Sequence, residues 1–253
     1  MKRSTLIQKI LGITAAVTLL GVAGARANNT THSLLGVDVS NYQGYITWSS
    51  VYADGVRFAF AKATESTGFT DADFAGNMSR GKSAGEQMGA YHFAHPESTC
   101  PSSQVNHFWA VAGGQISADG KSVYPMVDCE VFSGVTCGEG TYTAWYNDFS
   151  TDLKAKTANF LHPVIYVSAC NGCHLSSSIT LSAWIADYNG QNLYTGNPWS
   201  TCCSCNVWGG GCNANTWTYW QVSSTGAISG ISGGVDLDAY NGTLAELTSW
   251  QGV

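Results

Sequence analysis

Eight short apolar runs, the first of them separated by stretches of helical periodicity, constrain this 253-residue chain more than any other feature. The runs are Leu34–Val39, Arg57–Ala61, Gly89–Ala94, Val123–Val131, Val164–Ser168, Ala183–Asp187, Thr216–Val222 and Gly234–Leu237. Their length and their β-branched and aromatic content predict strands. The gaps hold predicted helices at Asp71–Ala84, Ser103–Ala112 and Thr141–Lys156, each apolar at three-to-four spacing. Strand, helix, strand in sequence argues for parallel pairing, because parallel neighbours need a long crossover. The gap from Val222 to Gly234 is too short and too rich in Ser and Gly for such a helix, so the pattern becomes irregular at its end. The expected fold class is α/β, an irregular single-domain β/α barrel with its site at the C-terminal ends of the strands. A doubly wound open sheet is the alternative.

Residues 1–27 read as an export leader: Lys2, Arg3 and Lys9, then an apolar run from Ile10 to Gly24, then Ala25-Arg26-Ala27. That run is shorter than the roughly twenty residues that span a bilayer, so no membrane anchor is expected after its removal. Residues 28–253 form the expected single domain of a secreted, extracellular protein. Without the leader, seven basic residues face seventeen acidic ones, a formal charge of −10, which disfavours nucleic acid as a partner. Nine cysteines follow: Cys100, Cys129, Cys137, Cys170, Cys173, Cys202, Cys203, Cys205 and Cys212. Export favours disulfides with one thiol left over, and zinc thiolates are the alternative. Alternation turns Cys129 away from the site and into the strand–helix layer, so Cys129 is the expected free thiol. No cofactor and no metal site is expected.

The run Met126-Val127-Asp128-Cys129-Glu130-Val131 carries two acids one residue apart. On a strand both point to one face, with Cα atoms about 6.6 Å apart. Two carboxyls so close in a cleft cannot ionise independently, and a carboxyl held protonated beside an ionised one is what protonation of a glycosidic oxygen needs. A solvated or ion-paired acid pair is the plain alternative. Asp38 on the first run and Asp236 on the last become neighbours if the barrel closes, and Asp238 is expected at the rim or as a helix cap. Tyr91, Phe93, Tyr166, Trp184, Tyr188 and Trp220, on or just after strands, are candidate sugar platforms, most of them expected in the core. Lys62 is either a ligand for substrate oxygens or a partner for an acid. His92 and His95 fall on opposite faces and read as hydrogen-bonded histidines.

Taken together, Gly36-Val37-Asp38-Val39-Ser40-Asn41-Tyr42-Gln43-Gly44, Phe58-Ala59-Phe60-Ala61-Lys62-Ala63-Thr64-Glu65, Gly89-Ala90-Tyr91-His92-Phe93, Pro125-Met126-Val127-Asp128-Cys129-Glu130, Trp184-Ile185-Ala186-Asp187-Tyr188 and Val235-Asp236-Leu237-Asp238 resemble the lysozymes of glycoside hydrolase family 25. The resemblance implies about five βα units followed by three strands. It also implies hydrolysis of the β-1,4 bond between N-acetylmuramic acid and N-acetylglucosamine in bacterial peptidoglycan, by a monomer. Glu130 is then the expected proton donor, with Asp128, Asp38 and Asp236 as the other catalytic carboxylates and Lys62, Tyr91, Phe93, Tyr166 and Trp184 in the substrate groove. A covalent nucleophile, a water-activating base and assistance by the sugar's acetamido group all stay open. A non-catalytic peptidoglycan-binding protein of the same fold is the alternative function. Two departures from the family pattern concern loops. Glu65 is followed by Ser66-Thr67-Gly68, and the Cys170–Cys173 and Cys202–Cys212 segments look like elaborations expected to rim the cleft.

Overall fold

The computed structural model describes residues 34–157 and 161–249. The leader reading of residues 1–27 lies outside the described residues. Nine strands form one sheet: β1 (Leu34–Val39), β2 (Val56–Glu65), β3 (Phe69–Thr70), β4 (Gln87–Phe93), β5 (Met126–Asp128), β6 (Val164–Ser168), β7 (Ser182–Ala186), β8 (Tyr219–Gly226) and β9 (Val235–Tyr240). Strands β1, β2, β4, β5, β6, β7 and β8 pair in parallel, and β9 runs antiparallel between β8 and β1, closing an eight-stranded barrel. The short β3 folds back on the end of β2 through Ser66, which adopts a positive φ of 46°. The Glu65-Ser66-Thr67-Gly68 departure is therefore a hairpin turn.

Helices α1 (Trp48–Ala53), α2 (Phe74–Ala84), α3 (Pro101–Ala112) and α4 (Tyr142–Ala155) fill the first four crossovers, and α5 (Leu244–Ser249) follows β9. Their boundaries have local causes. Pro101 opens α3, where its missing N–H would be unsatisfied anyway. Thr141 caps α4 by accepting from the Ala144 N–H at 3.1 Å. Gly85 ends α2 at φ 109°, a left-handed conformation. The fifth crossover, from β6 to β7, contains only 3-10 turns at Ala169–His174. Asn171, Gly172 and a run of serines there leave no apolar stripe for a helix to bury.

Two apolar layers result from strand alternation. Outward residues such as Val37, Ala59, Val127, Ile165 and Ile185 pack under the helices with Phe74, Phe108, Trp145 and Phe149. Inward residues fill the barrel with Phe58, Phe60, Tyr91, Tyr166, Trp184, Tyr219 and Tyr240. Room for these rings comes from Gly36 and Gly89, where a Cβ would lie 2.2 Å from the Phe58 ring and 2.4 Å from the Phe60 ring. His92, facing outward, takes the Thr64 hydroxyl at 2.7 Å and meets the Gln104 Oε1 at 2.9 Å. Burial lowers its pKa to about 3, so it stays neutral, a hydrogen-bonded histidine on the face opposite the barrel interior.

Four disulfides join Cys100 to Cys137, Cys170 to Cys202, Cys173 to Cys205, and Cys203 to Cys212, leaving Cys129 free and buried. Cysteine pairing thus takes the place of the zinc alternative. The expectation that the Cys170–Cys173 and Cys202–Cys212 segments rim the cleft is corrected: none of their residues lines it. They stack against each other on the outer wall, where β7 and β8 are joined without a helix, and Trp199, Trp217 and Trp220 fill the space beneath. Trp220, a candidate sugar platform, faces this outer layer and donates to the Asp187 carbonyl at 2.9 Å.

Candidate active site

The mouth of the barrel, at the C-terminal ends of the parallel strands, holds four carboxyl groups. Asp38 ends the inward row of β1, and its register partner on β9 is Asp236. Asp128 is the last residue of β5, flanked by Phe93 on β4 and Tyr166 on β6. Pro125 and the irregular chain beyond Asp128 limit β5 to three residues, shorter than the predicted Val123–Val131 run. Glu130 therefore lies past the strand, where the Cys129 N–H bonded to the Tyr166 carbonyl at 2.9 Å hands the chain out to the exposed mouth.

These groups line a hollow of about 250 Å³ together with Ser40, Tyr42, Lys62, Tyr91, Phe93, Met126, Tyr166, Tyr188 and Gln221. A second hollow of about 510 Å³ shares Asp38, Ser40, Tyr42, Tyr91 and Asp236, and adds Ser232, Gly233 and Gly234. The two make one elongated cleft, a shape suited to a chain-like ligand. Its aromatic rim is exposed at Tyr42 and Tyr188, by 92% and 53%, so these rings have free faces. Tyr42 is presented by a 3-10 turn whose ends are tied: Ser40 Oγ accepts from the Tyr42 N–H, Ser40 N–H donates to Gln43 Oε1 at 2.8 Å, and Asn41 N–H donates to Asp71 Oδ2 at 2.8 Å.

Burial dominates the electrostatics. Asp38, Asp128 and Asp238 are nearly or wholly buried, and desolvation raises the pKa of each, with neighbouring carboxylates adding to it. Asp236, less buried, rises to about 6 through burial and the Glu130 charge. Glu130 is raised by burial of its carboxyl, against a lowering by its hydrogen bond to Tyr166 and by the Lys62 ammonium. Lys62 reaches the cleft with its Nζ 2.6 Å from Glu65 Oε2 and 4.9 Å from the Phe93 ring centre. Glu65 also meets His95 at 3.1 Å, and His95 meets Glu97 at 2.8 Å, so the lysine head is held by a polar chain from outside the cleft.

A line of hydrogen bonds crosses the mouth. Gln221 Oε1 accepts the hydroxyls of Tyr166 at 2.8 Å and Tyr188 at 2.5 Å, which fixes its amide so that Nε2 donates to Asp38 Oδ2 at 2.7 Å. The single Tyr166 hydroxyl hydrogen is shared between two acceptors, Gln221 and Glu130.

Of the residues expected from sequence, Asp38, Asp128, Glu130, Asp236, Lys62, Tyr91, Phe93 and Tyr166 meet in this cleft. Trp184 does not: it is fully buried inside the barrel, in tilted and edge-on contact with Phe60, Tyr166 and Tyr219, and its Nε1 donates to Asp238 Oδ1 at 3.1 Å. Its inward position on β7 is one layer below the mouth, so it has no face to offer a ligand. Asp238 likewise is neither a rim residue nor a cap but lies buried beneath Asp38. Gln221, Ser40 and Tyr42 were not singled out as site residues by sequence reasoning. Gln221 follows an aromatic run at the predicted strand end, a usable signal, and Tyr42 stands four residues after Asp38 in a loop. Among the described residues no cluster of His, Cys, Asp and Glu is arranged to hold a metal ion.

Comparison with known proteins gives a consistent set of matches. The family model "Glycosyl hydrolases family 25" matches residues 37–231. Lysozyme M1 of Streptomyces globisporus is 35% identical over 86% of this chain and 71% of its own length. The N,O-diacetylmuramidase of Arthroderma benhamiae is 34% identical over 61% of this chain and 66% of its own. Among solved structures, the bacterial lysozyme from Streptomyces coelicolor superposes with a TM-score of 0.71 at 34% identity, covering 87% of this chain and 97% of that one. A muramidase from Trichobolus zukalii gives 0.67 at 29% identity, covering 86% and 98%.

Proposed function

Because this chain belongs to glycosyl hydrolases family 25 and is a glycoside hydrolase, we propose that it is a secreted lysozyme cutting the β-1,4 bond between N-acetylmuramic acid and N-acetylglucosamine in bacterial peptidoglycan, with Glu130 as the proton donor. The observation that carries the assignment of Glu130 is its position: it is an exposed residue at the mouth whose carboxyl is partly buried, raised in pKa and adjoining buried acids. A protonated Glu130 delivers its hydrogen to the leaving glycosidic oxygen. As it becomes a carboxylate, the Tyr166 hydroxyl turns from Gln221 to Glu130, and Gln221 keeps the Tyr188 hydroxyl. The new charge is thus met by a donor already in place.

Positive charge developing at the anomeric carbon is stabilised by ionised groups of the set Asp38, Asp128 and Asp236. Asp128, beside Glu130 and within the field of Lys62, is the nearest partner in this reading. Lys62, Tyr91, Phe93 and Tyr166 bind the sugar chain, with Tyr42 and Tyr188 as exposed stacking faces at the two sides of the cleft. Residues 1–27 act as the export leader and residues 28–253 as the catalytic domain. The protein works as a monomer outside the cell, with neither a membrane anchor nor nucleic acid. Among the described residues no helix is long and apolar enough to cross a membrane.

The test is mass spectrometry of borohydride-reduced products after purified peptidoglycan is incubated with the wild type or Glu130→Gln. Reduced muramic acid ends are expected from the wild type, and Glu130→Gln should lose about 10²- to 10⁴-fold in rate. Reduced glucosamine ends would mean the other bond is cut. Tight wall binding without products would make this a non-catalytic peptidoglycan-binding protein.

A further inference from the structure

Donor and acceptor counting around Asp238 leads to an unassigned role. Asp238 on β9 sits opposite Gly36 of β1 and Gln221 of β8, one inward position below Asp236. It is wholly buried. Its Oδ1 accepts from the Trp184 indole at 3.1 Å, and an indole N–H can only donate. Its Oδ2 is buried with no donor among the described residues, and the carboxyl that interacts most strongly with Asp238 is that of Asp38, on the neighbouring strand, so a hydrogen on one of the two carboxyls would partner the other. Asp38 Oδ2 in turn is committed as an acceptor, because Gln221 has its amide orientation set by two tyrosine hydroxyls. The hydrogen between the two carboxyls must therefore belong to one of them, since two ionised carboxylates would leave a buried oxygen with no partner.

The choice follows from surroundings. Asp38 reaches the cleft and has the Gln221 donor; Asp238 is one layer deeper, with a single indole donor and no route to solvent. The titratable groups that act most strongly on Asp238 are Asp38 and Asp236, both acidic, and both disfavour its ionisation.

We propose that Asp238 is a positioning residue that stays neutral and donates its one carboxyl hydrogen to Asp38, so that Asp38 is held in a fixed orientation in the cleft. Trp184 belongs to the same device, since its indole orients Asp238 so that the other oxygen meets Asp38. This role rests on the reading of the cleft as a hydrolase site, but the proton itself is observable without turnover.

The test pairs infrared spectroscopy with kinetics on wild type, Asp238→Asn and Asp238→Ala. The wild type at pH 7 should show a protonated-carboxyl C=O stretch that is missing from Asp238→Asn. On peptidoglycan, Asp238→Ala should lose about tenfold to a hundredfold in kcat, whereas Asp238→Asn, whose amide still donates to Asp38, should recover most of it with an unaltered pH profile. A merely structural Asp238 would leave the Ala variant's pH profile unmoved, whereas loss of the donor should raise the acid limb, to which Asp38 contributes alongside Asp128. The proposal is overturned if the infrared difference shows no protonated carboxyl, or if Asp238→Asn is as impaired as Asp238→Ala. Absence of turnover in the wild type with the infrared band present would sink the hydrolase reading and leave the neutral Asp238 standing.

Discussion

Lys62 shows how one side chain sets the chemistry of several. Burial raises both Asp128 and Glu130, and the ammonium of Lys62 works against that rise at each. Its own side chain is 13% exposed and clamped by Glu65, so the charge cannot swing away. Removing it should let both acids titrate higher. Lys62→Met is expected to move both limbs of the bell-shaped kcat profile upward by about one pH unit, the acid limb because Asp128 ionises later, the basic limb because Glu130 holds its proton longer. Limbs that stay in place would mean Lys62 only binds substrate. Of these residues, Asp128 and Glu130 were legible from their spacing alone. Glu65 as the clamp was not, because a hydrogen bond between residues three apart depends on how the strand ends and turns at Ser66.

At the scale of elements, the segment from Ala169 to Trp217 does without a helix what helices do elsewhere around the barrel. Two disulfides, Cys170–Cys202 and Cys173–Cys205, each span 32 residues and enclose nearly the same loop, and Cys203–Cys212 closes a short one beside them. Chain entropy makes closing such a loop worth about 3–4 kcal/mol. Either bridge alone closes it, so replacing one pair by serine should cost far less than that, and replacing both should cost about 3–4 kcal/mol. Urea unfolding of the two single-pair variants and the double variant measures this, and equal, additive losses would contradict it. Product identity should not change, since none of this segment's cysteines lines the cleft. Sequence reasoning recognised the disulfides and the odd Cys129 but set these loops at the rim. Loop position depends on how far a crossover folds back over the outside of the barrel after leaving its strand, and Cys spacing does not record that.

For the whole molecule, burial of acids sets a pH dependence of stability. Glu86, fully buried with neither carboxyl oxygen hydrogen-bonded, is pushed up to about 8 by desolvation, with Arg57 opposing. Asp236 is raised to about 6, and Asp38, Asp128 and Asp238 are raised by burial. A raised acid holds its proton longer folded than unfolded. Its stabilisation is therefore complete below the unfolded value near 4 and is lost as pH rises through the folded one. The window runs from about pH 4 to about pH 8. Asp119 has the opposite sign: burial raises it, but the stronger pull of Lys82 and its other donors lowers it to about 2, so its contribution is lost as pH falls through 2. The thermal midpoint should thus be higher at pH 5 than at pH 8. Glu86→Gln should narrow the corresponding difference in unfolding free energy, read from urea titrations at the two pH values, by on the order of 3 kcal/mol. An unchanged difference would mean Glu86 is ionised and compensated in the folded protein.

Strand and helix order was legible because periodicity is local: inward and outward residues alternate along each run, and that put Asp38, Asp128, Asp236 and the aromatic rows on one side before any contact was known. The same alternation marked Cys129 as turned away from the site. Depth along the barrel axis was not legible. Trp184 and Asp238 share the inward face with the cleft residues, yet they lie a layer lower, because register between neighbouring strands decides which inward position reaches the mouth. Glu130 stands beyond its strand for a comparable reason, the early end of β5. Disulfide partners and the shared hydrogen between Asp38 and Asp238 also depend on closure of the barrel, which brings the first and last strands side by side. Residue type and face are properties of the chain; depth, partner and protonation belong to the space the folded chain encloses.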